Sequence, residues 1–576
     1  MCGIYGITAK NSKFINQYID KCNHRGPDGR GTWHDDTVTL GHNLLSIMAD
    51  PGVSRQPWIT PKGNILVYNG EIFNYYELKI KYKQFIDTTG CDTELLAWGL
   101  DKFGIKFIND IDSMHGFAYY EPNKKQLMLS RDHAGVKPLY YAEIKEGLVF
   151  GSEVRGLLDK VPGARKLDKM AYSTWHYMSA NPSRNTFFSN IKKLLPGETI
   201  IYDLHNKKIK QRQRDWIKPT SEHKYDPIEF RQVVNESVKR CSIGNKKIGL
   251  FLSGGMDSSM IARELLDIRG EVNSFTTRFA PEPLTDAEDY NEDATLAKRM
   301  ANEFKYNHTE IEINPEIYAQ YWDKSITSVE QSIGTPTLPA NLYANKVMKD
   351  HKIKVTLAGD LGDELMCGYP RHGFLEKRLR GLARDENTWK TICETLITDQ
   401  NKKRKKKINK DIYTTQEVLE EFMKQYPDDL FNDADPLGSF CALEVVAICP
   451  EEMLIRNDKF GMAYSMEGRY PLATKKFMKY CMSVPSNQKI SDHLKHMSRD
   501  AYKDLLPDYI TTKGKTGWTA PMAYWIKDSQ SLLDLYERKL KRKINLPLII
   551  TQRTGKQIAR QMMWATWFDK FNTENY

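Results

Sequence analysis

The pattern of apolar and polar positions changes part-way along the 576-residue chain. Up to about residue 205, short apolar runs at 66–70, 116–120 and 126–129 are separated by turns rich in glycine and proline. Many short strands divided by turns predict packed antiparallel sheets. The clearest helical pattern in this part covers residues 93–103.

After a polar stretch at 211–225, helical patterns alternate with short apolar runs. The predicted strands are 247–252, 272–279 and 354–358, and the predicted helices include 258–268 and 292–303. This alternation predicts a parallel sheet with helices on both faces. The last third is mostly helical and ends in an aromatic, amphipathic segment at 562–571. We therefore divide the chain into domains 1–210 and 225–576, in keeping with its length.

Composition narrows the class of protein. No apolar run reaches the ~18 residues of a membrane span, and the N-terminus lacks the basic and apolar regions of a signal peptide. Nine cysteines without a Cys-x-x-Cys pair predict reduced thiols in a cytoplasmic compartment, without a disulfide framework or a zinc site. Part of the net charge of +10 lies in a basic run at 402–407. We interpret that run as a solvated loop or helix end.

A first candidate site begins at Cys2, directly after the initial methionine. Once Met1 is removed, Cys2 carries a free α-amine with a pKa of ~7.7–8.0 that can act as the base for its own thiol. Asn69 and Gly70, near the end of a predicted strand, supply two donors that suit an oxyanion hole. Asp92 offers a carboxylate for a substrate ammonium group.

These segments, together with the turns at 24–29 and 131–140, resemble the class II glutamine amidotransferases in order and spacing. The resemblance implies that Cys2 is the nucleophile that takes the γ-glutamyl group and that Asn69 and Gly70 form the oxyanion hole. It also implies that Asp92 binds the α-ammonium of glutamine. Arg25, Asn69 and Glu71 would belong to the same glutamine pocket.

One departure from that family concerns the substrate carboxylate. Members commonly carry a His-x-Arg-Leu-Ser-Ile stretch whose arginine binds the α-carboxylate of glutamine, whereas this chain has Leu44 at that place. Leucine makes no bidentate contact with a carboxylate. We expect another donor, such as Arg25, to hold the carboxylate. The alternative is weak glutamine binding with direct use of ammonia.

A second candidate site follows the predicted strand 247–252, where a loop rich in serine and glycine leads into a helix. Glycines allow close approach of the backbone to phosphate, and hydroxyls and the helix N-terminus supply donors. Asp257 places a carboxylate where phosphate-bound Mg²⁺ would lie. The loop fits neither the Walker A nor the dinucleotide pattern. It resembles the pyrophosphate loop of enzymes that cleave ATP between the α and β phosphates.

Farther along, residues 357–365 resemble the Leu-Ser-Gly-Glu-Gly-Ala-Asp-Glu-Leu motif of the asparagine synthetases. The resemblance implies that Asp363 shares Mg²⁺ with Asp257 and that Asp360 replaces a glutamate that acts as general base. Three further segments resemble segments of the same family: 456–463, 467–472 and 513–518. In the last of them, Lys515 matches a lysine that neutralises the departing pyrophosphate. The nucleotide contacts implied are Leu252, Ser253, Gly254, Gly255, Asp257, Ser258, Ser259, Thr277, Ala358 and Gly359.

The resemblance extends from Cys2 to about Phe571. It implies an N-terminal Ntn-hydrolase β-sandwich, antiparallel and layered with helices, and a C-terminal parallel-sheet PP-loop ATP-pyrophosphatase domain with a helical extension. The implied reaction is glutamine-dependent synthesis of asparagine from aspartate through β-aspartyl-AMP, with ATP and Mg²⁺, giving AMP, pyrophosphate and glutamate. The implied assembly is a homodimer, without membrane or nucleic-acid partners.

Three alternatives stay open. The first is an amidotransferase of the same architecture that acts on a different carboxylate acceptor. The second is an intramolecular amide-former of the β-lactam-synthetase type, although those relatives lack the N-terminal cysteine that this chain has. The third is a regulatory or nucleic-acid-binding protein that uses the basic run, and the intact phosphate loop argues against it.

Overall fold

A computed structural model describes residues 2–83, 90–280, 290–379, 386–399, 412–491, 493–540 and 552–571. The basic run 402–407 lies outside the described residues. Strands, numbered along the chain, are β1 (Gly3–Ile7), β2 (Gly29–His34), β3 (Thr39–Leu44), β4 (Trp58–Ile59), β5 (Ile65–Ile72), β6 (Ser113–Glu121), β7 (Gln126–Arg131), β8 (Tyr140–Ile144), β9 (Gly147–Gly151), β10 (Lys192–Lys193), β11 (Glu198–Asp203), β12 (Lys208–Arg214), β13 (Ile248–Phe251), β14 (Asn273–Phe279), β15 (Asn307–Ile313), β16 (Val355–Leu357) and β17 (Glu467–Arg469).

The α-helices, also numbered along the chain, become the dominant element in the second half. They are α1 (Ser12–Lys21), α2 (Tyr75–Lys81), α3 (Asp92–Phe103), α4 (Lys169–Met178), α5 (Pro227–Cys241), α6 (Met256–Arg269), α7 (Glu292–Glu303), α8 (Pro315–Val329), α9 (Leu338–Asp350), α10 (Gly362–Leu365), α11 (Pro370–Leu379), α12 (Glu386–Asp399), α13 (Thr415–Gln425), α14 (Pro436–Leu443), α15 (Ile455–Met462), α16 (Lys475–Ser483), α17 (Ser486–Lys489), α18 (His496–Tyr502), α19 (Asp508–Thr511), α20 (Met522–Asp528), α21 (Gln530–Leu540) and α22 (Gln552–Phe571).

The N-terminal half is built on two six-stranded sheets, with strand orders β10-β8-β9-β1-β3-β2 and β12-β11-β7-β6-β5-β4. Their strand pairs are antiparallel. Side chains from both sheets, including Leu40, Val67, Leu129 and Phe150, form one buried core between them. A second core lies beneath α2 and α3 on the outer face of the second sheet. Strands covered on both faces read as continuous apolar runs, which is the pattern that the sequence has.

The C-terminal half contains a five-stranded sheet of order β15-β14-β13-β16-β17, and its strand pairs are parallel. Helices α6 and α7 connect neighbouring strands, as the alternating pattern predicts. The predicted fold class, an antiparallel sandwich followed by a parallel α/β sheet with a helical extension, is therefore confirmed. Among the described helices, none is both long and apolar enough to cross a bilayer.

Apolar contacts join the two halves into one packed body. A single buried cluster contains Leu45 and Met114 from the N-terminal half and Leu357 from the parallel sheet. The aromatic segment of α22 returns to the N-terminal half, where the rings of Trp567 and Phe188 lie 5.0 Å apart between centroids. The apolar face of the segment 562–571 is therefore buried against the N-terminal half.

Candidate functional site

A cavity of about 370 Å³, partly open to solvent, lies at the start of β1. Cys2, Leu44 and Gly70 line it, together with hydroxyl and amide side chains from neighbouring loops. The charged residues that line its described part are all acidic: Glu71, Asp92 and Glu467.

Cys2 lines this cavity, and Asn69, which is not among the lining residues, contacts the Cys2 backbone. The backbone nitrogen of Cys2 donates to Asn69 Oδ1 at 2.9 Å, while Asn69 Nδ2 is buried without a hydrogen-bond partner in the described structure. Burial raises the pKa of the Cys2 thiol. Gly70 has no room for a side chain, because a Cβ there would lie 2.2 Å from the carbonyl oxygen of Met114. A thiol, an unused amide donor and a bare backbone position therefore meet at one place.

Asp92 is the first residue of α3, and its carboxylate reaches the cavity. Asp92 Oδ2 accepts hydrogen bonds from Tyr68 Oη at 3.1 Å and from the backbone nitrogen of Ile72 at 3.2 Å. Burial nevertheless raises the pKa of Asp92 to about 6. A buried carboxylate of this kind gains by pairing with a cationic ligand group.

Glu71 is tied to the C-terminal half of the chain. Arg469, fully buried in β17, donates from Nη2 to Glu71 Oε2 at 3.1 Å and from Nε to Glu467 Oε1 at 2.6 Å. Glu71 Oε1 has no hydrogen-bond partner among the described residues. One oxygen of Glu71 is thus engaged by Arg469, and the other stays available at the cavity.

Arg25, expected in the glutamine pocket, lies behind Cys2 and does not line the cavity. Its Nη1 donates to Glu153 Oε1 at 2.9 Å and to Asp458 Oδ2 at 3.0 Å, and its Nε donates to the carbonyl oxygen of Cys2 at 3.1 Å. This guanidinium therefore joins the two halves of the chain. The geometry gives no support to the predicted role of Arg25 at the substrate carboxylate.

The phosphate loop predicted from the sequence connects β13 to α6. The backbone nitrogen of Ser253 donates to Ser258 Oγ at 3.1 Å, which folds the loop over the first turn of the helix. Gly254 has φ +75°, and a Cβ there would lie 2.5 Å from the carbonyl oxygen of Asp293. Only glycine meets both conditions at low cost. The loop ends at the N-terminus of α6, and backbone N–H groups at a helix N-terminus favour an anion.

Asp257 and Asp363, the two predicted metal ligands, are brought together. Lys495 Nζ contacts Asp257 Oδ2 and lies 2.7 Å from Asp363 Oδ1, while Lys515 Nζ donates to Asp363 Oδ2 at 2.6 Å. The two ammonium groups outweigh the effect of burial and hold the pKa of Asp363 below its usual range. The carboxylates and lysines form one compact cluster beside the phosphate loop.

The same cluster fits a hard divalent cation. Asp257 Oδ1 is buried and has no hydrogen-bond partner in the described part of the chain, and carboxylate oxygens are the ligands that Mg²⁺ prefers. A cation held there would add positive charge beside the phosphate loop. Asp257 and Asp363 are thus the residues that would hold Mg²⁺.

Asp360, the predicted base, lies at the edge of this cluster. Its Oδ2 accepts a hydrogen bond from Asn457 Nδ2 at 3.0 Å, and burial raises its pKa. Nearby, the hydroxyl of Tyr369 donates to Glu364 Oε1 at 2.8 Å. Burial, with a further contribution from Asp363, raises the pKa of Glu364 to about 7. Both acids are therefore easier to protonate than exposed carboxylates.

Comparison with protein families gives matches to both halves. Residues 229–569 match the family model for asparagine synthase, and residues 1–216 match that for a glutamine amidotransferase domain.

The chain belongs to the asparagine synthase family.

Three named relatives agree with this assignment. The asparagine synthetase [glutamine-hydrolyzing] 1 of Bacillus subtilis is 25% identical over 573 residues, covering 92% of this chain and 89% of its own length. Its paralogue, asparagine synthetase [glutamine-hydrolyzing] 3, is 24% identical, covering 93% and 91%. A putative asparagine synthetase [glutamine-hydrolyzing] 2 of Methanocaldococcus jannaschii is 28% identical over 408 residues, covering 65% and 76%. The predicted family and enzyme class, a glutamine-hydrolysing asparagine synthase, are confirmed.

Two residues of the asparagine synthase half were missed from the sequence. Lys495 lies in a polar stretch before α18 and reads there as an ordinary exposed lysine. Asn457 lies in segment 456–463, which resembles the family, but the sequence alone assigns it no role. Both acquire a role only through partners more than 90 residues away, Asp257 and Asp360.

Replacing Arg25 with methionine tests its role as a buried link between the halves. The substitution leaves Glu153 and Asp458 without their shared guanidinium, so we expect a loss of about 3–5 kcal/mol in the free energy of unfolding. Arg30→Met is the matched control, because Arg30 and Asp20 form an exposed pair worth about 0–1 kcal/mol. Urea unfolding of the full chain measures both, and equal losses would contradict the assignment.

Proposed function

We propose that this chain makes asparagine from aspartate, ATP and glutamine, using two sites that share one nitrogen atom. The two halves of the packed chain each contain one site, and the two sites differ in chemistry. A thiol and a buried acid line one cavity, an unused amide donor lies next to the thiol's backbone, and a phosphate loop with two acids and two lysines lies in the other half. The family match supports ATP and glutamine as substrates.

At the first site, removal of Met1 converts the backbone nitrogen of Cys2 into an α-amine. That amine takes the thiol proton, and the sulfur attacks the side-chain amide carbon of glutamine. Asn69 Nδ2 and the backbone nitrogen of Gly70 stabilise the oxyanion, while Asp92 holds the α-ammonium. Ammonia leaves with the proton returned by the amine, and water hydrolyses the thioester to glutamate.

At the second site, the loop from Ser253 to Ser259 holds the phosphates of ATP. A carboxylate oxygen of aspartate attacks the α-phosphorus, and pyrophosphate leaves with its charge balanced by Lys495 and Lys515. Mg²⁺ bound to Asp257 and Asp363 would add positive charge to the phosphates. Ammonia then attacks the acyl carbon of β-aspartyl-AMP, Asp360 takes a proton from the nitrogen, and AMP leaves.

Several finer points stay predictions. They are aspartate as the acceptor, the domain bounds 1–210 and 225–576, the homodimer and the cytoplasmic location.

ATP–pyrophosphate exchange, measured with aspartate and with other carboxylic acids, tests the acceptor, since only the correct acid should support exchange. Exchange with a different acid and not with aspartate would favour the alternative of another acceptor.

Cys2→Ala separates the two sites. The substitution removes the nucleophile, so we expect glutamine-dependent asparagine synthesis to fall by at least about 10³-fold while ammonium-dependent synthesis is retained. Product analysis with aspartate, ATP, Mg²⁺ and either nitrogen donor measures both. Cys22→Ala, at a buried cysteine that does not line the cavity, should affect the two activities equally. Equal activity of Cys2→Ala with both donors would exclude Cys2 as the nucleophile.

The raised pKa of Asp92 predicts a pH dependence of glutamine binding. Only the ionised carboxylate pairs with the substrate ammonium, so binding is full above a pKa of about 6 and is lost as the pH falls through it. Calorimetry on the Cys2→Ala protein should show the affinity for glutamine falling about tenfold per pH unit in that acid range. The double variant with Asp92→Asn should bind weakly and show no such dependence. A pH-independent affinity in the Cys2→Ala protein would remove Asp92 from the ammonium site.

Leu44→Arg tests the missing carboxylate partner. No basic residue lines the described part of the cavity, so the α-carboxylate of glutamine lacks a charged donor there. An arginine at this position should lower the KM for glutamine about tenfold or more, since a hydrogen bond to a charged group contributes ~1.5–3 kcal/mol. Ammonium-dependent synthesis should not change, and Leu44→Met serves as the control. An unchanged KM would mean that the carboxylate is already held by another donor.

A further inference from the structure

A buried group of metal-type ligands lies outside both sites. Cys367 follows α10, His372 belongs to α11 and Cys441 to α14, and all three side chains are fully buried. Each offers one donor atom, and the three donor atoms lie within 4.8 Å of one another. The mechanism proposed above uses none of them.

The two sulfur atoms have the separation expected for two ligands of one tetrahedral metal ion. Cys367 Sγ and Cys441 Sγ are 3.7 Å apart. With a Zn–S bond of about 2.3 Å and a tetrahedral angle, two thiolates on one zinc ion lie about 3.8 Å apart. A disulfide needs about 2.05 Å, so the two sulfurs are not bonded to each other here.

His372 is oriented in the way that metal-bound histidines are. Its Nε2 pairs with Glu444 Oε2 at 2.8 Å, and Arg371 in turn donates to Glu444. Metal-ligating histidines almost always donate their second ring N–H to a carboxylate or carbonyl group. Nδ1 is then the ligating atom, and its present partner is the backbone nitrogen of Tyr369 at 3.4 Å, which is a long hydrogen bond.

The backbone at Cys367 has an unusual conformation. Cys367 has φ +56°, a left-handed conformation that is uncommon for residues other than glycine and is held only where the surroundings enforce it. The next residue, Gly368, is confined between Asp363 and Lys495, since a Cβ there would lie 2.1 Å from Asp363 Oδ1. The thiol is therefore presented by a fixed turn that continues into the second site.

We propose that Cys367, Cys441 and His372 bind a zinc ion, with Glu444 as the group that orients the histidine. Two thiolates and an imidazole favour a borderline-soft ion such as Zn²⁺ over Mg²⁺. Binding replaces two thiol protons, which pass to solvent, by two Zn–S bonds. The ion stabilises the turn between α10 and α11, beside Asp363. This site does not depend on the proposed reaction.

Metal content of the full chain tests the proposal. After equilibration with Zn²⁺ and dialysis, we expect one tightly held zinc ion per chain. Reconstitution with Co²⁺ should give the near-ultraviolet sulfur-to-cobalt charge-transfer band of thiolate ligation. Cys367→Gly suits the positive φ and removes one thiolate, so it should lose both signals. Cys393→Ala, at a buried cysteine outside the group, should keep both.

Three outcomes would overturn the zinc site. They are a wild-type chain that retains no zinc and shows no charge-transfer band, a Cys367→Gly protein with unchanged metal content and band, and a purified chain with a Cys367–Cys441 disulfide. Circular dichroism shows whether Cys367→Gly folds. If it does not, the cobalt titration of the wild type decides alone, with an absent band counting against the site.

Discussion

Buried ion pairs at the boundary hold the two halves of the chain together. Arg25 lies between Glu153 of its own half and Asp458 of the other. Lys459 pairs with Glu330 at 2.7 Å and with Glu153 at 3.3 Å. Ions removed from water without partners are strongly destabilising. These charges are therefore compatible with burial only while the two halves are docked.

This requirement fixes the two sites relative to each other. Arg25 also donates to the carbonyl oxygen of Cys2 and to Asp458 of α15, so this guanidinium fixes the position of Cys2 relative to α15. The preceding residue of α15, Asn457, holds Asp360 at the second site. Arg469 makes a second connection between the sites. It lies in β17, which pairs with β16, and the chain continues from β16 to Asp360. The guanidinium of Arg469 reaches Glu71 at the first cavity. A rigid connection of this kind would suit the proposed transfer of ammonia between the two sites.

The sequence predicts the parts of this arrangement that are local. Apolar runs between turns predicted the antiparallel sheets of the first half. The glycines between the predicted strand 247–252 and the following helix predicted the phosphate loop. Asn69, Gly70 and Asp92 could be assigned because each lies in a recognisable segment, and the structure brings all three to Cys2. Their catalytic roles stay predictions.

Residues whose partners are distant in the chain could not be assigned in this way. Arg25 reads as a pocket residue from its segment, yet its partners are 128 and 433 positions away. Lys495 reads as a surface lysine and is instead an internal counter-ion to Asp257 and Asp363. Cys367 and Cys441 are 74 positions apart, outside any local metal-binding pattern. In each case tertiary contact, rather than spacing along the chain, sets the role.

If AMP is transferred to the β-carboxylate of aspartate, one oxygen atom of that carboxylate ends in AMP, and an isotope label can follow it. Aspartate labelled with oxygen-18 in its β-carboxylate, turned over with ATP and ammonium, should place one labelled oxygen in AMP and none in pyrophosphate, because the carboxylate oxygen bonded to the α-phosphorus leaves with AMP. Mass spectrometry of the separated products reads the position of the label. Labelled orthophosphate formed together with ADP would show attack at the γ-phosphorus and would contradict the adenylate.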